Sequence, residues 1–316
     1  MRLKLLRRCG LMGGLLALTA AGLYAMPPTT GAQYWSTDPN LNCSAFHALI
    51  SEIPLASGGK GYACFVSGTF PWLAAGGSWS TSIRVNAPAS GGIGVDMGFF
   101  QDGQRFSMDT ISGNGSVPTT SNLVSFALSA NQPLEIHLLG ASTDAPRYSN
   151  TQTGLVYSVF YCADATTCAT VLPQLLYSFA PIKPWSLSVP IAWDSTFSSF
   201  QPKGIGPRWS AAGIHDASHL IAFAICNQSR VETTFTVRVF DGNGSLVGQA
   251  TTPSIPVAGS RGFLLTDVIR TPLPSGILKV TVDGGSGLSS VTFLQLDGDS
   301  ATSLQVAYDS PPSPIP

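Results

Sequence analysis

The chain of 316 residues is 10% charged and 44% hydrophobic, with a formal net charge of −1. So little charge excludes a surface built to track nucleic acid, which needs clustered Lys and Arg. Glu occurs only as Glu52, Glu135 and Glu232 while Gly, Pro, Ser and Thr abound, a mix that favours strands and turns over helices.

In chain order, residues 1–25 read as a secretory signal. "MRLKLLRR" is a basic start, "LMGGLLALTAAGL" is an apolar run of 13 residues, and Ala25 closes a cleavage site. The run is short for a membrane span. Cys9 lies upstream of it, which argues against a lipoprotein anchor, and a retained N-terminal anchor is the alternative. No other apolar run reaches spanning length. The mature chain is therefore expected to be exported (extracellular, periplasmic or at the cell surface) and free of the membrane. Cleavage removes Arg2, Lys4, Arg7 and Arg8 and leaves 12 basic residues against 17 acidic ones. No basic cluster survives, so no nucleic-acid partner is expected.

Residues 26–66 read as a linker with one short helix in "CSAFHALISEI", where Phe46, Leu49 and Ile50 recur at helical spacing. In an exported chain, proximity pairs Cys43 with Cys64 and Cys162 with Cys168 as disulfides. Zinc is the rival, but there is no CxxC pair and no His beside these cysteines. Cys226, within the apolar run "LIAFAIC", reads as a buried free thiol.

The rest of the chain repeats itself weakly but in order. "SIRVNAPASGGIGVDMGFFQDGQRFSM" (82–108) aligns with "FAICNQSRVETTFTVRVFDGNGSLVGQ" (223–249), setting Val85 on Cys226. After an extra Gly/Ser/Asn/Thr loop in the first copy, "FALSANQPLEIHLL" aligns with "IPVAGSRGFLLT", and "GLVYSVF" with "GILKVTV". "SLSVPIAWD" aligns last, with "SLQVAYD". Period-2 alternation in "FTVRVF" and "VDMGFF", with turn residues between short strands, predicts antiparallel β-sandwiches. The expected organisation is all-β: module one over 67–195, a linker over 196–217, module two over 218–309 and a disordered tail over 310–316. A barrel fits the same pattern.

"VFDGNGSLVGQ" places Asp, Asn and Ser at alternate positions, as a calcium loop begins. Such a loop needs Gly at its sixth position and Glu at its twelfth. Counted from Asp241 these are Leu246 and Thr252, so Asn243-Gly244 is expected to be a hairpin turn with positive φ at both residues. "HDASH" (215–219) resembles a zinc motif, but that spacing has geometric meaning only on a helix, and a strand follows at once. Incidental loop histidines is the favoured reading. No G-x-S-x-G elbow occurs, no carboxylate pair stands out for glycoside hydrolysis, and "ASGGKG" lacks the GK[ST] of a phosphate loop. No cofactor is expected. The aromatics are the remaining handle. Core or interdomain packing is the favoured reading for tryptophans in a sandwich, with ligand contact through Trp72, Trp79, Trp185 and Trp193 as the alternative.

"FPWLAAGGSWSTSIRVNAP", "LIAFAICNQSRVETTFTVRVFDGNGSLVGQ" and "VAGSRGFLLTDVIRTPLPSGILKVTV" give the chain a resemblance to secreted bacterial proteins built from tandem immunoglobulin-like sandwich modules. The resemblance spans roughly residues 70–309 and is structural. It implies a non-enzymatic secreted or cell-surface role, with an extracellular protein or polysaccharide as partner, and it brings no active site. Carbohydrate binding is the alternative function, and hydrolysis of an extracellular polymer a more distant one.

Overall fold

The structure, a computed structural model, describes residues 33–43, 49–55, 58–113, 117–141, 143–144, 146–171, 173–179, 185–193, 206–285, 289–298 and 300–308. Strands make up nearly all of its regular structure. The first half contains β1 (Leu49–Pro54), β2 (Lys60–Ala75), β3 (Trp79–Asn86), β4 (Ile93–Gln101), β5 (Gln104–Arg105) and β6 (Met108–Ser112). It continues with β7 (Thr119–Ser121), β8 (Leu123–Leu128), β9 (Pro133–Gly140), β10 (Gln152–Cys162), helix α1 (Ala165–Ala169), β11 (Gln174–Phe179), β12 (Trp185–Pro190) and β13 (Ala192–Trp193). The second half begins with β14 (Arg208–His215), β15 (His219–Asn227), β16 (Thr236–Phe240), β17 (Leu246–Thr251), β18 (Ser260–Leu264) and helix α2 (Leu265–Val268). It ends with β19 (Gly276–Asp283), β20 (Ser289–Asp297), β21 (Ser300–Ser303) and β22 (Ala307–Tyr308).

All pairings between these strands are antiparallel, and each half stacks two sheets. In the first half a seven-stranded sheet runs β1-β2-β10-β4-β5, with β13 also on β2 and β8 also on β4. It faces a six-stranded sheet β12-β11-β3-β9-β6-β7. In the second half the orders are β17-β16-β19-β14-β22 and β18-β15-β20-β21. Every pairing of the second half has a counterpart at the same place in the first. β14–β19 matches β2–β10, β19–β16 matches β10–β4, β15–β18 matches β3–β9, and β22 on β14 matches β13 on β2. Period-2 alternation builds the two cores. Val95, Met97 and Phe99 of β4 point into one, and Val237 and Val239 of β16 point with Phe235 into the other. In the first half β2 and β3 belong to different sheets, as do their counterparts β14 and β15, the first two strands of the second half. In an immunoglobulin domain the first strand lies beside the second. Here β14 lies beside β19, and β20 beside β15.

Several expectations need correction. The segment 208–215, assigned to a linker, is strand β14, and its Trp209 is a core residue at 3% exposure. Its inward Ala211 and the small Ser210, Ala212 and Gly213 carry too little apolar contrast to show the alternation. Residues 49–53, read as the second part of a helix, belong to edge strand β1 on β2, because pairing with β2 satisfies their backbone groups. The remainder of that helix, 44–48, lies outside the described residues, as do the signal segment 1–25 and the tail 310–316. The extra loop of the first half contributes β6, β7 and β8 as added strands. The Asp241–Ser245 turn is held by Asp241 Oδ1, which accepts from the N–H groups of Asn243 and Ser245 at 2.9 Å each. Only Gly244 has positive φ there, not Asn243, so it is a turn ending in a glycine bulge. Asp102-Gly103, by contrast, has φ of 50° and 77°, the positive pair of a two-residue hairpin.

Both disulfides are present, Cys43–Cys64 and Cys162–Cys168, and Cys64 and Cys162 are cross-strand partners on β2 and β10. The second one staples α1, whose N-cap Asp164 accepts from Thr167 N–H at 2.8 Å. These bonds suit an oxidising compartment. Among the described residues no helix is long and apolar enough to cross a membrane.

Candidate functional site

The two halves meet along an extensive contact. Ser260 Oγ donates to the Pro71 carbonyl, Gln228 Nε2 donates to Thr69 Oγ1 at 3.1 Å, and Arg261 pairs with Asp102 at 2.7 Å. Cys226, buried and in neither disulfide, packs on Phe100 and Leu155. The contact is incomplete, and beside it opens a cleft of about 930 Å³. That volume lies within the roughly 300–1,000 Å³ usual for small-ligand sites.

Local chain geometry supplies the first wall. β2 and β3 cross from one sheet to the other through Gly76-Gly77, with φ of 77° and 60°. A Cβ at Gly76 would stand 2.5 Å from the Asn150 carbonyl oxygen, and one at Gly77 2.6 Å from Thr151 Oγ1, so glycine is required at both. The reversal brings Trp72 and Trp79 together edge to face, with ring centroids 5.0 Å apart and planes at 84°. Tyr177 backs both rings and donates its hydroxyl to the Trp72 carbonyl. Burial pushes the pKa of that hydroxyl well above its ordinary value. Both tryptophans stay half-buried and line the cleft.

The second wall is the outer face of β18-β15-β20. Along β15, Ile221, Phe223 and Ile225 enter the core of the second half, whereas Ala222 and Ala224 face the cleft with Gly262, Leu294 and Leu296. Both faces of β15 are thus apolar, as expected of a strand covered on both sides. Polar groups stand around the lining: Asp267, Asp297, Arg261, Ser218 and Ser300.

The "HDASH" segment is the tight turn between β14 and β15, not a helix. Asp216 Oδ1 accepts from the N–H groups of Ser218 and His219 at 2.7 and 2.9 Å, and His219 Nδ1 lies 2.8 Å from the same oxygen. That hydrogen bond raises the His219 pKa and lowers that of Asp216. Gln295 braces the turn by donating to the carbonyls of Ile214 and Leu220. Among the described residues no group of three or more His, Cys, Asp and Glu could hold a metal ion. Glu135 is tied to Ser82 and Arg84, and His137 is exposed on β9.

Of the four candidate tryptophans, the structure joins Trp72 and Trp79. The backbones of Trp185 and Trp193 lie in β12 and β13, and their side chains are outside the described part. Sequence reasoning missed Gly262, Asp267 and Asp297. The signal for this wall was present in "LIAFAIC", where a strand lacks the polar positions that one solvated face requires. The chain matches no protein-family model, and comparison with curated proteins and with solved structures finds no match.

Proposed function

We propose that this chain works after export as a non-enzymatic binding protein of two tandem, immunoglobulin-like sandwich modules, with the cleft between them as its ligand site. The kinship is in the two-layer sandwich; the place of the first and last strands is this chain's own. The correspondence of strand order between the halves supports the tandem reading. The observation that carries the binding reading is the convergence of Trp72 and Trp79 on one apolar cleft of ligand size. Both rings pack on the first core yet stay only half-buried, which leaves aromatic surface for a ligand.

Carbohydrate recognition is the second reading, favoured by those same half-exposed indoles. The Ala222, Ala224, Leu294 and Leu296 wall offers a sugar few hydrogen-bond partners, so an apolar ligand body fits better. Calorimetric titration with a polysaccharide panel and with short-chain amphiphiles separates the two. Saturable binding that disappears in Trp72→Ala is expected. Undiminished binding in that variant places the ligand elsewhere on the protein.

A further inference from the structure

Resting on that reading, we infer that the cleft selects an amphipathic cation: an apolar body lies between the tryptophans and the β15 face, and a positively charged group lies at the acidic rim. The walls fix the first half of this description. Trp72, Trp79, Ala222, Ala224, Leu294 and Leu296 present carbon to the cavity, and burying apolar ligand surface against them is favourable in proportion to the area removed from water. The small side chains along β15 and at Gly262 keep that space open opposite the indoles.

Charge fixes the second half. The titratable side chains lining the cleft, among the described residues, are Asp267, Asp297 and Arg261. Arg261 is already committed, because it bonds Asp102 Oδ1 at 2.7 Å and donates to the Ser260 carbonyl at 2.9 Å. Its charge closes the seam between the halves and is neutralised there. Among the described residues Asp267 makes no such ion pair. Asp297 faces His219 Nε2 at 3.7 Å, and His219 is shared with Asp216. Even with His219 protonated, that trio keeps one net negative charge. An anionic headgroup at this rim meets repulsion, and a cationic one meets two carboxylates with an indole face nearby.

The test uses three probes with the same ten-carbon tail, kept below their micelle concentrations: decyltrimethylammonium, decyl sulfate and decyl maltoside, titrated calorimetrically into the purified chain. The expected order places the ammonium about three- to tenfold tighter than the maltoside, with the sulfate weakest; exposed carboxylates each contribute modestly. The preference should shrink as salt rises, since the charges are at the surface. In Asp267→Asn/Asp297→Asn the three affinities should converge while tail binding persists, and Trp72→Ala should weaken all three. Equal affinities in the parent, or tighter sulfate, would overturn the cation assignment and leave the apolar cleft standing. No binding of any probe, with none to polysaccharides either, would remove the cleft as a ligand site altogether.

Discussion

Trp72 of the first half lies directly over Gly262 of the second: a Cβ at Gly262 would stand 3.2 Å from the indole Nε1 and 3.4 Å from Cε2. The two backbones are pinned beside this point by Ser260 Oγ and the Pro71 carbonyl. A side chain here must displace the indole into the cleft or separate the halves. Gly262→Val is expected to cost about 1–3 kcal/mol by overpacking and to weaken ligand binding at the same time. Paired calorimetric unfolding and titration check both effects; a valine variant that melts and binds like the parent would mean the approach is loose.

Asp96 predicts an unusual pH dependence. It lies at 4% exposure on the outer face of β4, and among the described residues neither oxygen makes a well-formed hydrogen bond. Burial raises its pKa, and the nearby hydroxyls of Ser125 and Tyr161 oppose that only in part. A carboxyl whose folded pKa exceeds its unfolded value contributes stability in acid, and loses it as pH rises through the folded value. Asp96→Asn should therefore stabilise the protein at pH 7, by on the order of 1–3 kcal/mol, and change little near pH 3. Urea melts at the two pH values test this, and an equal shift at both would refute it.

Asp109 has the opposite sign. Burial pushes its pKa up, but hydrogen bonds from Thr120 (2.5 Å), Tyr148 (2.6 Å) and Arg147 (2.7 Å) outweigh that and hold it below the ordinary value. Its stabilisation is present above the unfolded carboxylate pKa and is lost as pH falls through the folded one. Asp109→Asn should destabilise at pH 7 and flatten the acid limb of the stability curve. A variant that keeps the parent's acid limb would show that this network does not control it.

The disulfides should contribute unequally. The Cys43–Cys64 loop spans 21 residues and the Cys162–Cys168 loop spans 6. Chain entropy assigns them about 3 and about 2 kcal/mol respectively. Double alanine variants of each pair, melted separately, should rank in that order. The reverse order would point to packing of the α1 staple as the larger effect.

Trp209 is the anchor of the second core. Its indole N–H lies 3.2 Å from the Gly206 carbonyl oxygen and 3.1 Å from that of Ser289, and the ring is 3% exposed. Trp209→Ala should cost about 3–5 kcal/mol. Trp209→Phe should cost less, though it leaves both carbonyls without the indole donor. Unfolding followed by tryptophan fluorescence and far-ultraviolet dichroism would show whether the first half survives. A change under 1 kcal/mol in Trp209→Ala would contradict the core assignment.

Much of the fold was legible because its determinants are local. Period-2 runs such as Val95, Met97 and Phe99 mark a buried face, Asp102-Gly103 marks a hairpin, and the cysteine spacings gave both disulfides. Legibility failed where local contrast vanished, as in the small residues of β14. Register was also beyond reach. The sequence likeness sets Val85 on Cys226, yet Val85 enters the first core while Cys226 packs on Phe100 and Leu155. A slip of one residue exchanges the faces of a strand, and a weak repeat does not resolve one residue.

The site divides in the same way. The sequence marked Trp72 and Trp79 only as aromatics; the structure shows that the two glycines between them reverse the chain and bring the rings together. That they line a cleft together with Gly262, Asp267 and Asp297 depends on how one sheet of the second half docks on the first. By itself the sequence determined the strands with clear period-2 contrast, the positions of the turns and the disulfides, because hydrophobic period, backbone conformation and cysteine spacing act over a few residues. Only the tertiary structure decided which outward faces meet, because that contact sums many small surfaces far apart along the chain.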